Sequence, residues 1–213
     1  MESGSPKKEN PKSEKILLTR FAPSPILAVM KIRYNAPVTL TLALLCCAAM
    51  GAHQLTNGAT TQTFFTAYPG LHGSSPLHYI QFFTYIFGHG SFSHLSANLS
   101  LLLLIGPINE EKFGSGLMLE MILITALLTA LLNALFFNTG LLGASGIVFM
   151  LILLSSCANI RAGEIPLTLL LVAVLYLGNE LYGSLGKDNI SQFAHLTGGV
   201  VGAFYGLIRG RKR

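Results

Sequence analysis

Apolar residues in this chain gather into long runs separated by short polar breaks. Six runs can be marked, near 36–55, 92–109, 115–137, 143–160, 164–183 and 191–209. The hydrocarbon core of a bilayer is about 30 Å thick, and a helix crosses it in roughly 20 residues. The pattern therefore predicts an all-α, polytopic membrane protein with six transmembrane helices. The third run is the cleanest, with Glu120 as the only charge over 116–137. The fourth and sixth are short and rich in small residues. Residues 1–15 are polar and charged, a composition that predicts disorder. Residues 16–30 are more apolar, but Arg20, Pro23 and Pro25 interrupt them, which suits an interfacial segment better than a span. The expected organisation is a cytoplasmic N-terminal tail over 1–35, one six-helix domain over 36–209 and a basic cytoplasmic C-terminus over 210–213.

Composition agrees with this reading. The 213 residues are 51% hydrophobic and 11% charged, with a mean hydropathy of +0.57, whereas soluble domains carry about 25% charged residues. The net charge of +5 could suggest a nucleic-acid partner, but the position of the charges argues otherwise. Seven of the 14 Lys and Arg residues precede position 36, and Arg209, Arg211, Lys212 and Arg213 close the chain. Six spans with a cytoplasmic N-terminus leave only Lys187 outside, as the positive-inside rule requires. The 56–91 connection has no Lys or Arg. It is expected outside, resting partly in the membrane interface. Cys46, Cys47 and Cys157 lie in apolar runs without metal-ligand spacing and read as packing residues.

Polar and ionisable groups inside spans are costly and mark candidate sites. His94 and Asn98 open the second span, Ser145 the fourth and His195 the sixth. All three spans start from the outer face, so these side chains are expected at similar depth on one side. Ser145 and His195 can form a nucleophile and its general base. Each alone also has a plainer reading, since a serine beside glycine helps helices pack and a lone histidine in a span is often a hydrogen-bonding partner. His94 and Asn98, four apart, share a helix face. They could supply oxyanion donors or an interhelical polar clamp. Gly198, Gly202 and Gly206 recur every four residues and form a ridge that lets another helix approach closely. The small stretch Gly143-Ala144-Ser145-Gly146 is its natural partner. Phe149, one turn below Ser145, could stack on the His195 ring.

Together these residues resemble the rhomboid family, in its minimal six-helix, bacterial form. Gly143, Ser145 and Gly146 match a GxSG motif. Ala194, His195, Gly198 and Gly202 match AHxxGxxxG, and His94 with Asn98 matches HxxxN. His89 also matches a recurrent family position, and the stretch from Gly106 through Glu110 to Gly116 is similar to the turn after the second span. The resemblance covers roughly residues 78–208. A Trp-Arg element common in the first loop is missing, and Tyr85 stands where some members carry another histidine.

The resemblance implies an intramembrane serine endopeptidase, with Ser145 and His195 catalytic. His94, Asn98 and the backbone at Ser145 and Ala144 would bind the oxyanion. Phe149, Gly143, Gly198, Gly202 and His89 would support them. It implies no cofactor and no metal, membrane-anchored protein substrates in a lipid bilayer, and a bacterial inner-membrane location with the site opening outward. Asn179 and Glu180 on the fifth span suggest a moving gate. The alternative is a catalytically inactive rhomboid-like protein that binds or escorts membrane clients. Such relatives usually lack the serine or the histidine, and this chain keeps both. A transporter would show internal repeats, and a zinc protease an HExxH motif; neither is present.

Overall fold

A computed structural model of the chain describes residues 33–71, 75–158, 160, 167, 171 and 189–209. The expected tail up to residue 32, the fifth span apart from residues 167 and 171 (so including Asn179 and Glu180), Lys187 and the C-terminal residues 210–213 lie outside the described residues. The helices all belong to one compact unit, Asn35–Arg213. They are α1 (Pro37–Leu55), α2 (Ala59–Phe64), α3 (Pro76–Thr84), α4 (Phe92–Phe113), α5 (Ser115–Phe136), α6 (Ser145–Cys157) and α7 (Asn189–Arg209). Apart from one isolated antiparallel bridge, the described residues contain no strand.

α1, α4 and α5 are each long and apolar enough to cross a membrane. Their packing follows membrane logic rather than that of a soluble core. On α5 the buried face carries Thr125, Ala126, Thr129, Ala130 and Asn133, while Leu119, Leu123 and Leu127 are exposed. Lipid solvates leucine well, so small and polar residues mediate helix contact.

The second span runs on past the expected boundary near 109, to Phe113, and the predicted turn over 110–115 reduces to Gly114. The physical reason is that the polar residues resembling a stop are buried and satisfied. Asn109 exchanges hydrogen bonds with Ser155 of α6, donating through Nδ2 (2.8 Å) and accepting at Oδ1 (3.0 Å). Glu110 accepts from the backbone N–H groups of Val38 and Thr39 (both 2.9 Å), from Thr39 Oγ1 (2.8 Å) and from Ser115 Oγ (2.7 Å). No side chain of α1 itself caps that helix. The carboxylate therefore supplies the acceptor that its free amino end needs.

α6 is the most enclosed helix. Its 13 residues rise about 20 Å at 1.5 Å each, well short of a bilayer core. α7 packs along it through a glycine seam. A Cβ at Gly198 would collide with the Gly146 carbonyl oxygen, and one at Gly202 with the Met150 carbonyl oxygen. A Cβ at Gly206 would lie 3.0 Å from the Leu154 carbonyl oxygen. Backbone thus meets backbone at three successive turns.

Within the 56–91 connection, the described residues form α2, α3 and a 3-10 turn over Tyr85–Phe87, more regular structure than a plain loop. They are stitched to the segment that leads into α6. Ala67 and Leu141 exchange two backbone hydrogen bonds of 2.9 Å, and Gly143 N–H donates to the Tyr85 carbonyl at 3.0 Å.

Candidate active site

Each candidate side chain is placed by a local feature of its helix. Ser91 caps α4, its Oγ accepting from the His94 backbone N–H at 3.1 Å. This fixes the start of the helix and so the face carrying His94, Ala97, Asn98 and Leu101. Gly143 has φ +113°, a conformation open to glycine and strained for other residues. A Cβ there would also lie 2.8 Å from the His94 ring. The segment therefore turns sharply against His94 before Ser145 begins α6. Ala144 is the buried N-cap residue, and no side chain caps this helix end. The first backbone N–H groups of α6 therefore receive no side-chain cap at this end.

These elements enclose a cavity of about 290 Å³ lined by His94, Ala97, Asn98, Leu101, Ser145, Val148 and His195. Four polar residues from three helices meet there against an apolar wall. The Phe149 and His195 rings lie 5.6 Å apart at 31°. Gly199 makes room for the phenylalanine, since a Cβ there would sit 2.7 Å from the Phe149 ring.

Hydrogen-bond partners fix the state of His89. Its Nδ1 lies 3.1 Å from the Phe87 carbonyl oxygen, which can only accept, so Nδ1 carries the proton. Nε2 is then an acceptor, and the Asn98 Nδ2 group 3.1 Å away donates to it. Burial pushes the imidazole down to about 4; the Phe87 carbonyl opposes this shift and His94 adds to it. His89 therefore stays neutral and holds the Asn98 amide with its NH2 end fixed. Asn98 itself is only 6% exposed.

A family model described as the Rhomboid domain matches residues 76–212. The chain belongs to the rhomboid family. It is 27% identical over 201 residues to the protein named rhomboid protease GlpG of Salmonella paratyphi A, covering 91% of this chain and 71% of that relative. The proteins of the same name in Salmonella typhi and Salmonella newport match to the same extent. Rhomboid membership and the apolar helices together make the chain an integral membrane protein.

Apart from the gate candidates Asn179 and Glu180, every site residue named from the sequence lies among the described residues. Ser145, His195, His94 and Asn98 reach the cavity. Gly143 and Ala144 form the turn that leads to Ser145, Phe149 lies beside His195, and Gly198 and Gly202 form the seam. His89 acts one step back, through Asn98. The apolar wall of Ala97, Leu101 and Val148 is an addition to the residues expected from the sequence. A signal for it exists, since Ala97 and Leu101 share the helical face of His94 and Asn98. The part played by the Tyr85 carbonyl leaves no sequence signal, because any residue offers a carbonyl.

Proposed function

We propose that this rhomboid is an intramembrane serine endopeptidase that cleaves membrane-anchored proteins in or near their transmembrane segments. The observation that carries the reading is the convergence of Ser145, His195, His94 and Asn98 on one cavity. Ser145 Oγ attacks the scissile carbonyl carbon while His195 takes the hydroxyl proton. The resulting oxyanion receives hydrogen bonds from the Asn98 amide, His94 and the backbone N–H groups at the start of α6. Removal of one such donor lowers rate about 100- to 1,000-fold. The C–N bond then breaks and the leaving amine takes the proton from His195. Water, deprotonated by His195, attacks the acyl-enzyme and releases the new carboxyl end with Ser145 restored. No step calls for a metal or a cofactor. Phe149 against the imidazole takes on the orienting task that an acidic third residue performs in a triad.

The charge distribution supports cytoplasmic termini and a site facing the outer side of a bacterial inner membrane. A membrane-embedded substrate must unwind locally, because a helical peptide bond is shielded by its own side chains and hydrogen bonds.

The test uses protein in mild detergent and in liposomes. The parent, Ser145→Ala and His195→Ala are treated with a fluorescent fluorophosphonate and, separately, with a generic transmembrane substrate. Labelling and cleavage by the parent alone are expected. A folded parent that does neither, or cleavage by Ser145→Ala, would overturn the assignment and favour client binding.

A further inference from the structure

We propose that the Phe137–Phe193 pair is a positioning clamp for His195, holding the first turns of α7 so that the imidazole faces the Ser145 cavity. This rests on reading His195 as the general base. Phe137 is the residue at which α5 ends. Its backbone is extended (φ −124°, ψ 157°) while its N–H still donates to Asn133, so its ring is delivered just beyond the helix. Phe193 lies on α7, two residues before His195. The ring centroids are 4.8 Å apart with planes inclined by 47°, a tilted geometry typical of favourable aromatic pairs.

The placement explains what the pair does. At about 100° per residue, positions 193 and 195 differ by about 200° around the helix axis. Phe193 therefore grips α7 on the side nearly opposite the one that presents His195. Beyond His195, the seam of Gly198, Gly202 and Gly206 fixes how close α7 lies to α6. Glycines have no side chains with which to resist rotation about the helix axis. Ala194, whose carbonyl lies against Gly146, is also small. Phe149 of α6 packs at Gly199 and beside His195, and Tyr205 Oη donates to Glu120 of α5 (2.6 Å) further along α7. On the opposite face of the first turns, the Phe137 contact adds a bulky anchor to a third helix. Neither phenylalanine lines the cavity, so the pair acts through His195 rather than on substrate. A rotation of about 10° moves a side chain about 6 Å from the axis by about 1 Å. A displacement of that size can cost about 100-fold in rate.

The experiment compares the parent with Phe137→Ala, Phe193→Ala, the double variant, Phe193→Leu and Phe193→Tyr. Fluorophosphonate labelling rate and the kcat and KM for a transmembrane substrate are measured on the folded fraction. Each alanine variant is expected to lower kcat and labelling about 10- to 100-fold, with KM within about twofold of the parent. The double variant should be no slower than the slower single one. Phe193→Tyr, which keeps the ring, should restore the rate, and Phe193→Leu should not. Should the alanine variants fail to fold, the leucine and tyrosine pair decides alone. Rates within about twofold of the parent, or singles that multiply in the double, would overturn the clamp. A folded parent that neither labels nor cleaves overturns the base assignment instead. The clamp is then judged by amide hydrogen exchange over 189–197, where unchanged protection in Phe137→Ala would refute it.

Discussion

Glu110→Gln changes one oxygen of a buried carboxylate to an NH2 group and nearly preserves its shape. The parent side chain is 3% exposed and accepts four hydrogen bonds, two at each oxygen. Whichever way the amide turns, its NH2 end meets two donors. Either it faces Thr39 N–H and Oγ1, or it faces Val38 N–H and Ser115 Oγ. Two charge-assisted bonds are lost, each worth about 1.5–3 kcal/mol. Relaxation of the hydroxyls recovers part of this, so the variant should be destabilised by about 3 kcal/mol. For a chain of this size 1 kcal/mol corresponds to about 2–4 °C, giving a fall in Tm of about 6–12 °C. Ser115→Ala removes only one of the four donors to the carboxylate and should cost about 1–2 kcal/mol. The pair should be non-additive, because in one amide orientation the Ser115 bond is already gone. Thermal unfolding in mild detergent, followed by circular dichroism, measures all three. A Glu110→Gln protein within about 1 kcal/mol of the parent would refute the view that the carboxylate caps α1. So would strict additivity with Ser115→Ala.

Gly198→Ala places a methyl group on the Gly146 carbonyl oxygen and must push α7 away from α6. We expect at least a 100-fold loss of fluorophosphonate labelling even in protein that still folds, and a rate near that of the parent would show that the seam can yield. His89 offers a pH test. Its folded pKa, near 4, lies below the ordinary value of about 6.5. The neutral form is favoured on folding, so its contribution is complete above about 6.5 and is lost as pH falls from there towards 4. Unfolding midpoints of the parent should therefore drop through that window more steeply than those of His89→Gln. Parallel pH profiles would remove His89 as the titrating group.

The legible part of the fold is what side-chain type controls. Apolar runs place α1, α4, α5, α6 and α7, because a bilayer demands continuous helix of a given length. The glycine spacing at 198, 202 and 206 marks the α7 seam, because only a missing side chain allows that approach. The pattern cuts the second span short at Asn109 because its amide and the Glu110 carboxylate look like a helix end in the sequence. Their partners, Ser155 and the start of α1, lie far along the chain. Contacts made by backbone atoms stay invisible for a different reason. The Ala67–Leu141 bridge and the Tyr85 carbonyl on Gly143 place no requirement on side-chain identity. The Phe137–Phe193 contact is hidden among ordinary apolar residues, since nothing in the pattern distinguishes a clamp from a lipid-facing ring.

The seam between α6 and α7 also limits how the molecule can move. Three carbonyl oxygens sit opposite three glycine carbons, so neither helix can slide along the other without first lifting away. Ser145 stands at the head of one helix and His195 in the second turn of the other. Sliding therefore cannot change the separation of these two residues; rotation of α7 about its own axis still can, and that is the motion the Phe137–Phe193 contact bears on. Any change in the cavity that needs one helix to slide past another has to come from helices outside this pair.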